Sequence, residues 1–190
     1  MKPETEFLLG ARWIIPVEPA GVTLENHSML VRGGIIADLL PTAEAQTRHP
    51  GVASRDLGQR VLLPGLVNLH THAAMTLMRG LADDLPLMDW LKQHIWPAEA
   101  KHVSRAFVRD GSLLACAEML RSGITCFNDM YFFPEAGAEA VLESGMRAAL
   151  GIIAVEFPSA YASDAEDYLR KGLEVRDALR AESRLSFCMA

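Results

Sequence analysis

The run Pro64-Gly65-Leu66-Val67-Asn68-Leu69-His70-Thr71-His72 constrains this chain more than any other stretch, because it is an apolar strand pattern that ends in His-Thr-His. Side chains alternate across a strand, so His70 and His72 project from one face and Thr71 from the other. Two imidazoles on one face can share a metal ion at roughly 2.0–2.1 Å each for zinc. On a helix the same spacing would turn them about 200° apart, beyond chelation of one ion. The motif therefore predicts a strand end.

Downstream the pattern alternates. A strand over 61–70 precedes helical stretches near 86–95 and 104–121, the second ended by Gly123. A strand over 125–131, a helix over about 134–144, a strand over 147–155, a helix from about 165 to 180 and a strand over 185–189 follow. Such alternation predicts parallel βαβ units. Counted from residue 61 there are four βα steps, the last without its helix, which is about half of an eight-stranded barrel. Before residue 61 the chain reads as short strands and turns. Phe7–Val17 is interrupted by Pro16 and Pro19, and Gly33-Gly34 separates Met29-Leu30-Val31 from Ile35-Ile36 as a hairpin would.

Composition narrows the function. Half of the 190 residues are hydrophobic and the formal net charge is −6, with no basic block. That favours a globular domain with a small-molecule substrate over a protein that tracks phosphates, so no nucleic-acid partner is expected. The polar N-terminus carries no apolar signal core and no run approaches membrane-spanning length, so no membrane partner is expected either. Cys116, Cys126 and Cys188 are odd in number, widely spaced and set among apolar residues. They read as buried free thiols in a reducing cytoplasm rather than disulfides or a zinc–thiolate site.

The segment Val61–His72 resembles the first barrel strand of the amidohydrolase superfamily of metal-dependent hydrolases. The continuation Ala74-Met75-Thr76-Leu77-Met78-Arg79-Gly80, Asp84-Leu85, Trp90-Leu91, Trp96-Pro97-Ala98-Glu99 and Gly123–Tyr131 is similar to its 5'-methylthioadenosine/S-adenosylhomocysteine deaminase branch. The resemblance implies an α/β fold: the N-terminal half of a metal-dependent (β/α)8 barrel (63–190), preceded by strands of a small β-sandwich (1–62). It implies a hydrolytic deaminase of an adenine nucleoside, with His70 and His72 as ligands to one divalent metal, zinc or iron. Bound to such an ion, water has a pKa lowered to about 7. The resemblance also makes Trp90 a wall of the nucleoside pocket, and Glu99 the acceptor of hydrogen bonds from the ribose hydroxyls. Read without it, Trp90 would anchor its helix through an i, i+3 pair with Leu87, Trp96 would be structural, and Glu99 would be an exposed helical glutamate.

No catalytic acid or base is assigned to these residues. The family's third histidine, its His-x-x-Glu and its metal-binding aspartate have no counterpart here, and Asp129 does not match the family's ligand. The chain is thus expected to be the N-terminal portion of a longer hydrolase, silent by itself. After Gly145-Met146-Arg147 no arginine follows until Arg170, which favours a neutral substrate over one with a carboxylate tail. A guanine or s-triazine-type deaminase or chlorohydrolase, and a non-catalytic remnant of the fold, are the competing readings. Assembly into a homo-oligomer stays open.

Overall fold

The computed structural model describes residues 6–190, which form two compact units, 6–64 and 65–190. In the first, β1 (Glu6–Ile14), β2 (Leu24–Arg32) and β3 (Ile35–Pro41) form an antiparallel meander, with the hairpin at Gly33-Gly34 as expected. Both glycines have positive φ, the conformation such a tight connection requires. Helix α1 (Thr42–Arg48) follows, and then β4 (Ser54–Asp56) and β5 (Val61–Leu62), each parallel to β1. Leu8, Leu30, Leu40 and Ala45 form the core of this unit. The short α1 lacks a side-chain cap and enough length for a helical period, so the sequence reading passed over it.

The strand expected over 61–70 is two strands. Val61-Leu62 completes the first sheet, and β6 (Leu66–Thr71) begins the second. The break falls at Pro64-Gly65, two residues later than the boundary read from the sequence. Proline lacks the N–H that a continuous ladder would use. Gly65 then passes against the Thr125 side chain, where a Cβ would collide.

The second unit is a four-stranded parallel sheet in the order β6, β7 (Ile124–Asp129), β8 (Arg147–Ile152), β9 (Leu185–Met189). Its helices are α2 (Leu87–Trp90), a π-helical turn at Leu91–Ile95, α3 (Trp96–His102), α4 (Arg105–Arg121), α5 (Pro134–Ser144) and α6 (Ala165–Leu179). A 3₁₀ turn, Ala73–Met78, leaves the end of β6. Local chemistry sets the boundaries. Ser104 Oγ accepts from Phe107 N at 3.2 Å and Asp164 Oδ1 from Asp167 N at 3.0 Å, each an N-cap that stabilises its helix by about 1 kcal/mol. Pro134 opens α5, and Gly145, at positive φ, closes it.

Phe127, Ala148 and Leu150 on the strands meet Cys116, Met119, Ala138 and Val141 on α4 and α5. Ala136, Gly137, Ala138 and Ala140 let α5 lie close to the sheet. Truncating Phe127 there would cost about 3–5 kcal/mol.

Two expectations need correction. The strand from Arg147 ends at Ile152, ahead of the connection that leads to Tyr161. Of the three thiols only Cys116 is buried; Cys126 is half-buried and Cys188 exposed, because Cys188 lies on the face of β9 opposite Phe187, which packs against the helices.

Candidate metal and substrate site

Parallel strands direct their C-terminal ends to one edge of the sheet, and the candidate residues gather there on β6, on β7 and on α3. Along the β6–β7 ladder Asn68 pairs with Phe127 and Thr71 with Asp129, so β6 carries one extra residue between these points. This is a bulge, the kind of irregularity that re-aims side chains beside a site. Two asparagines satisfy the backbone it releases: Asn68 Oδ1 accepts from His70 N at 3.3 Å, and Asn128 Nδ2 donates to Leu69 O at 3.2 Å.

Past the bulge the two histidine rings lie edge to face with centroids 5.0 Å apart. His72 Nδ1 is 2.7 Å from Met130 O. A carbonyl can only accept, so Nδ1 carries the proton and the Nε2 lone pair is left for a metal ion. That is the usual outer-sphere arrangement of a metal-binding histidine. With His70 beside it, the pair fits two ligand positions on one ion. Among the described residues, no group of three or more His, Cys, Asp and Glu side chains is placed to hold a metal.

Asp129, only 6% exposed, lies behind the pair. Its Oδ1 accepts from Thr71 Oγ1 at 2.8 Å and from Ala73 N at 2.7 Å. Burial pushes its carboxyl above the ordinary range, against the pull of those hydrogen bonds and of His72.

Glu99 is carried on α3, and its Oε1 accepts from Tyr131 Oη at 2.8 Å. Burial raises the Glu99 carboxyl, while the phenol bond and His72 act in the opposite direction. Tyr131 is raised by burial and by the negative Glu99, so it remains a donor. The Tyr131 ring lies 6.4 Å from that of His72. Glu99 thus joins the sheet end that carries the histidines, rather than standing exposed on a helix face.

Glu99 also borders a cavity of about 290 Å³ whose walls are mainly Trp96, Val103, Phe132, Phe157 and Pro158. No lysine, arginine or histidine lines it. The structure brings Trp96, not Trp90, to this space. Trp90 is half-buried and its Nε1 donates to Leu81 O at 2.9 Å, tying down the loop between the 3₁₀ turn and α2. Its expected alternative partner, Leu87, is 66% exposed, so no core pair forms. Trp96 and Glu99 are three residues apart and share a helix face, a signal present in the sequence. Preceding Pro97, Trp96 reads from the sequence as a structural residue instead.

The amidohydrolase family model matches residues 61–187, more than half of the chain. The chain belongs to the amidohydrolase family. It is 48% identical over 180 residues to a 5-methylthioadenosine/S-adenosylhomocysteine deaminase of Saccharophagus degradans, covering 95% of this chain and 40% of that protein. A protein of the same name from Thermodesulfovibrio yellowstonii is 43% identical over 178 residues, covering 93% and 40% of the two chains. Among solved structures, an adenosine deaminase from Xanthomonas campestris with bound zinc superposes with a TM-score of 0.86 at 42% identity, covering 96% of this chain and 42% of that one. A guanine deaminase from C. acetobutylicum, 17% identical with a TM-score of 0.80 over 97% of this chain and 46% of that one, shares the fold. This amidohydrolase chain therefore spans 40–42% of the length of its nearer relatives named here. The first four strands of the (β/α)8 barrel are the part it supplies. No helix among the described residues is long and apolar enough to cross a membrane.

Proposed function

We propose that this chain contributes two metal ligands and the sugar-binding wall to a hydrolytic deaminase of neutral adenine nucleosides, 5'-methylthioadenosine or adenosine. The reading is carried by one observation: Tyr131 ties the Glu99 carboxylate to the sheet end that bears His70 and His72. The relatives named for 5-methylthioadenosine and S-adenosylhomocysteine support the substrate class.

His70 and His72 would hold one divalent cation, with zinc favoured by the zinc-bound Xanthomonas relative. Bound there, the cation would supply an activated water near neutral pH. The reaction class breaks the exocyclic C–NH2 bond of the purine, forms C–O from water at the same ring carbon and releases ammonia. Glu99, with Oε1 held by Tyr131, would accept hydrogen bonds from the ribose hydroxyls through Oε2. Trp96 and Phe157, whose ring centroids are 6.4 Å apart, would cover the apolar end of the nucleoside and exclude water. Trp90 would act through the loop it holds. A carboxylate tail would meet no cation in this cavity, so S-adenosylhomocysteine should be the poorer substrate. The three free cysteines suit a cytoplasmic setting.

The test is ammonia release by the protein at its natural length, from 5'-methylthioadenosine, adenosine, S-adenosylhomocysteine, guanine and a chloro-s-triazine. Turnover of the first two, lost together with zinc in His70→Ala and His72→Ala, is the expected result. Turnover confined to guanine or to chloride release would overturn the nucleoside reading. Unchanged zinc content in the double variant would overturn the ligand assignment.

A further inference from the structure

We propose that Asp129 is a positioning residue that fixes the His72 turn through the backbone and side chains on either side of it. The inference rests on the reading of His70 and His72 as metal ligands. It assigns Asp129 no contact with metal or substrate.

The geometry is a clamp. Oδ1 of Asp129 accepts from the Thr71 hydroxyl at 2.8 Å and from the Ala73 amide at 2.7 Å, one residue before and one after His72. The next residue, Met130, adds two bonds: its N donates to Thr71 O at 3.1 Å and its carbonyl accepts from His72 Nδ1 at 2.7 Å. Four atoms of the segment 71–73 are therefore held by Asp129, the last residue of β7, and Met130, the residue after it. Asp129 has to sit in the buried layer for this, although its ladder position could take any apolar residue of similar volume if packing were its only task. A carboxylate is costly to bury. Its two donors both belong to the turn that carries His72, so the cost is offset at that turn.

The template is itself well fixed. Gly151 of β8 lies where a Cβ would come 3.0 Å from Asp129 O, so the neighbouring strand closes directly onto the Asp129-Met130 backbone. The carbonyl that accepts from His72 Nδ1 is thereby held in place. The donors are a hydroxyl and an amide, and an amide carbonyl oxygen has two lone pairs and can accept from both. Asparagine should therefore replace Asp129 in this role, and alanine should not.

The experiment uses the protein at its natural length with Asp129→Asn, Asp129→Ala, Thr71→Val and, as a control on the ligand reading, His70→Ala. Zinc affinity is measured by competition with a chromophoric chelator, and the cobalt-substituted proteins are compared by their visible d–d spectra. Loss of an outer-sphere partner lowers metal affinity by about 10- to 100-fold, and that is the loss expected for Asp129→Ala, with a changed cobalt spectrum. Asp129→Asn should stay within a few-fold of the parent and keep its spectrum. If Asp129→Ala does not fold, Thr71→Val decides: it removes the hydroxyl whose proton is shared between Asp129 Oδ1 at 2.8 Å and Asn128 O at 2.9 Å, and should shift the spectrum in the same sense while Asp129→Asn does not. Parent-like spectra and affinities in every folded Asp129 and Thr71 variant, with zinc lost in His70→Ala, would overturn the positioning role alone. Zinc retained in His70→Ala would overturn the metal reading beneath it.

Discussion

Tyr131 Oη stands 2.8 Å from Glu99 Oε1, so a phenol on the sheet edge holds one carboxylate oxygen of a residue that arrives on a separate helix. The bond leaves Oε2 as the free acceptor and orients it. Tyr131→Phe should therefore raise KM for a nucleoside while leaving zinc content unchanged. A hydrogen bond to a charged group contributes about 1.5–3 kcal/mol, which corresponds to a loss of at least about tenfold in nucleoside kcat/KM. Kinetics on a nucleoside and its free base check this, the free base being nearly unaffected.

Glu99 also predicts a pH signature of stability. Burial raises its folded carboxyl above the ordinary value, so the unfolded chain loses this proton first as pH rises. Between the two values the folded state binds more protons, and stability falls with increasing pH. The contribution is fully present below the unfolded value and lost as pH passes the raised folded value. Glu99→Gln removes that dependence. Its melting temperature should match the parent near pH 4 and exceed it at pH 7, while its nucleoside turnover falls. Thermal unfolding across that range checks both.

Trp96 should govern the apolar end of the substrate. Trp96→Ala removes the ring facing Phe157, and aromatic pairs of this kind contribute about 0.5–1.5 kcal/mol beyond area burial. KM for 5'-methylthioadenosine should rise about threefold to tenfold on that scale, and more than KM for adenosine, whose 5' end is polar. Equal effects on the two nucleosides would place the 5' end elsewhere.

Asn128 predicts an effect without substrate contact. Asn128→Ala leaves Leu69 O without its 3.2 Å donor inside the bulge. Loss of zinc affinity should accompany a destabilisation of about 1 kcal/mol, the scale of one hydrogen bond. Chelator competition and denaturant unfolding measure the two.

Much of the second unit was legible because its signals are local. The alternation of apolar strands with capped helices requires only near neighbours, and Ser104, Asp164, Pro134 and Gly145 mark their ends. The His70–His72 pair was legible for the same reason. What escaped was chemistry that joins distant parts of the chain: Asp129 to Thr71 and Ala73, Tyr131 to Glu99, and Asn128 to Leu69. Each of these pairs is 32 to 59 residues apart, and a polar residue at a strand end does not announce its partner. Trp96 escaped because a π-helical turn, which sequence periodicity does not reveal, precedes it and resets the phase of the helix.

The bulge in β6 has a consequence for which changes of length this segment can accept. Ladder partners in a parallel sheet share a face, and Asn68 is opposite Phe127. Continued in regular register with every residue kept, that ladder would set His70 opposite Asp129, and both histidines would turn toward the layer where Phe127 meets α4 and α5. With the bulge, Thr71 takes that place and the histidines emerge on the opposite side. Deleting Leu69 would remove the extra residue and leave Thr71 opposite Asp129 in a regular ladder, whereas inserting one residue there would, with the same single bulge, set His70 opposite Asp129 and point the imidazoles into the helices. In this strand, residue count decides which face the two histidines occupy, and insertions between residues 68 and 71 should be rarer than substitutions there.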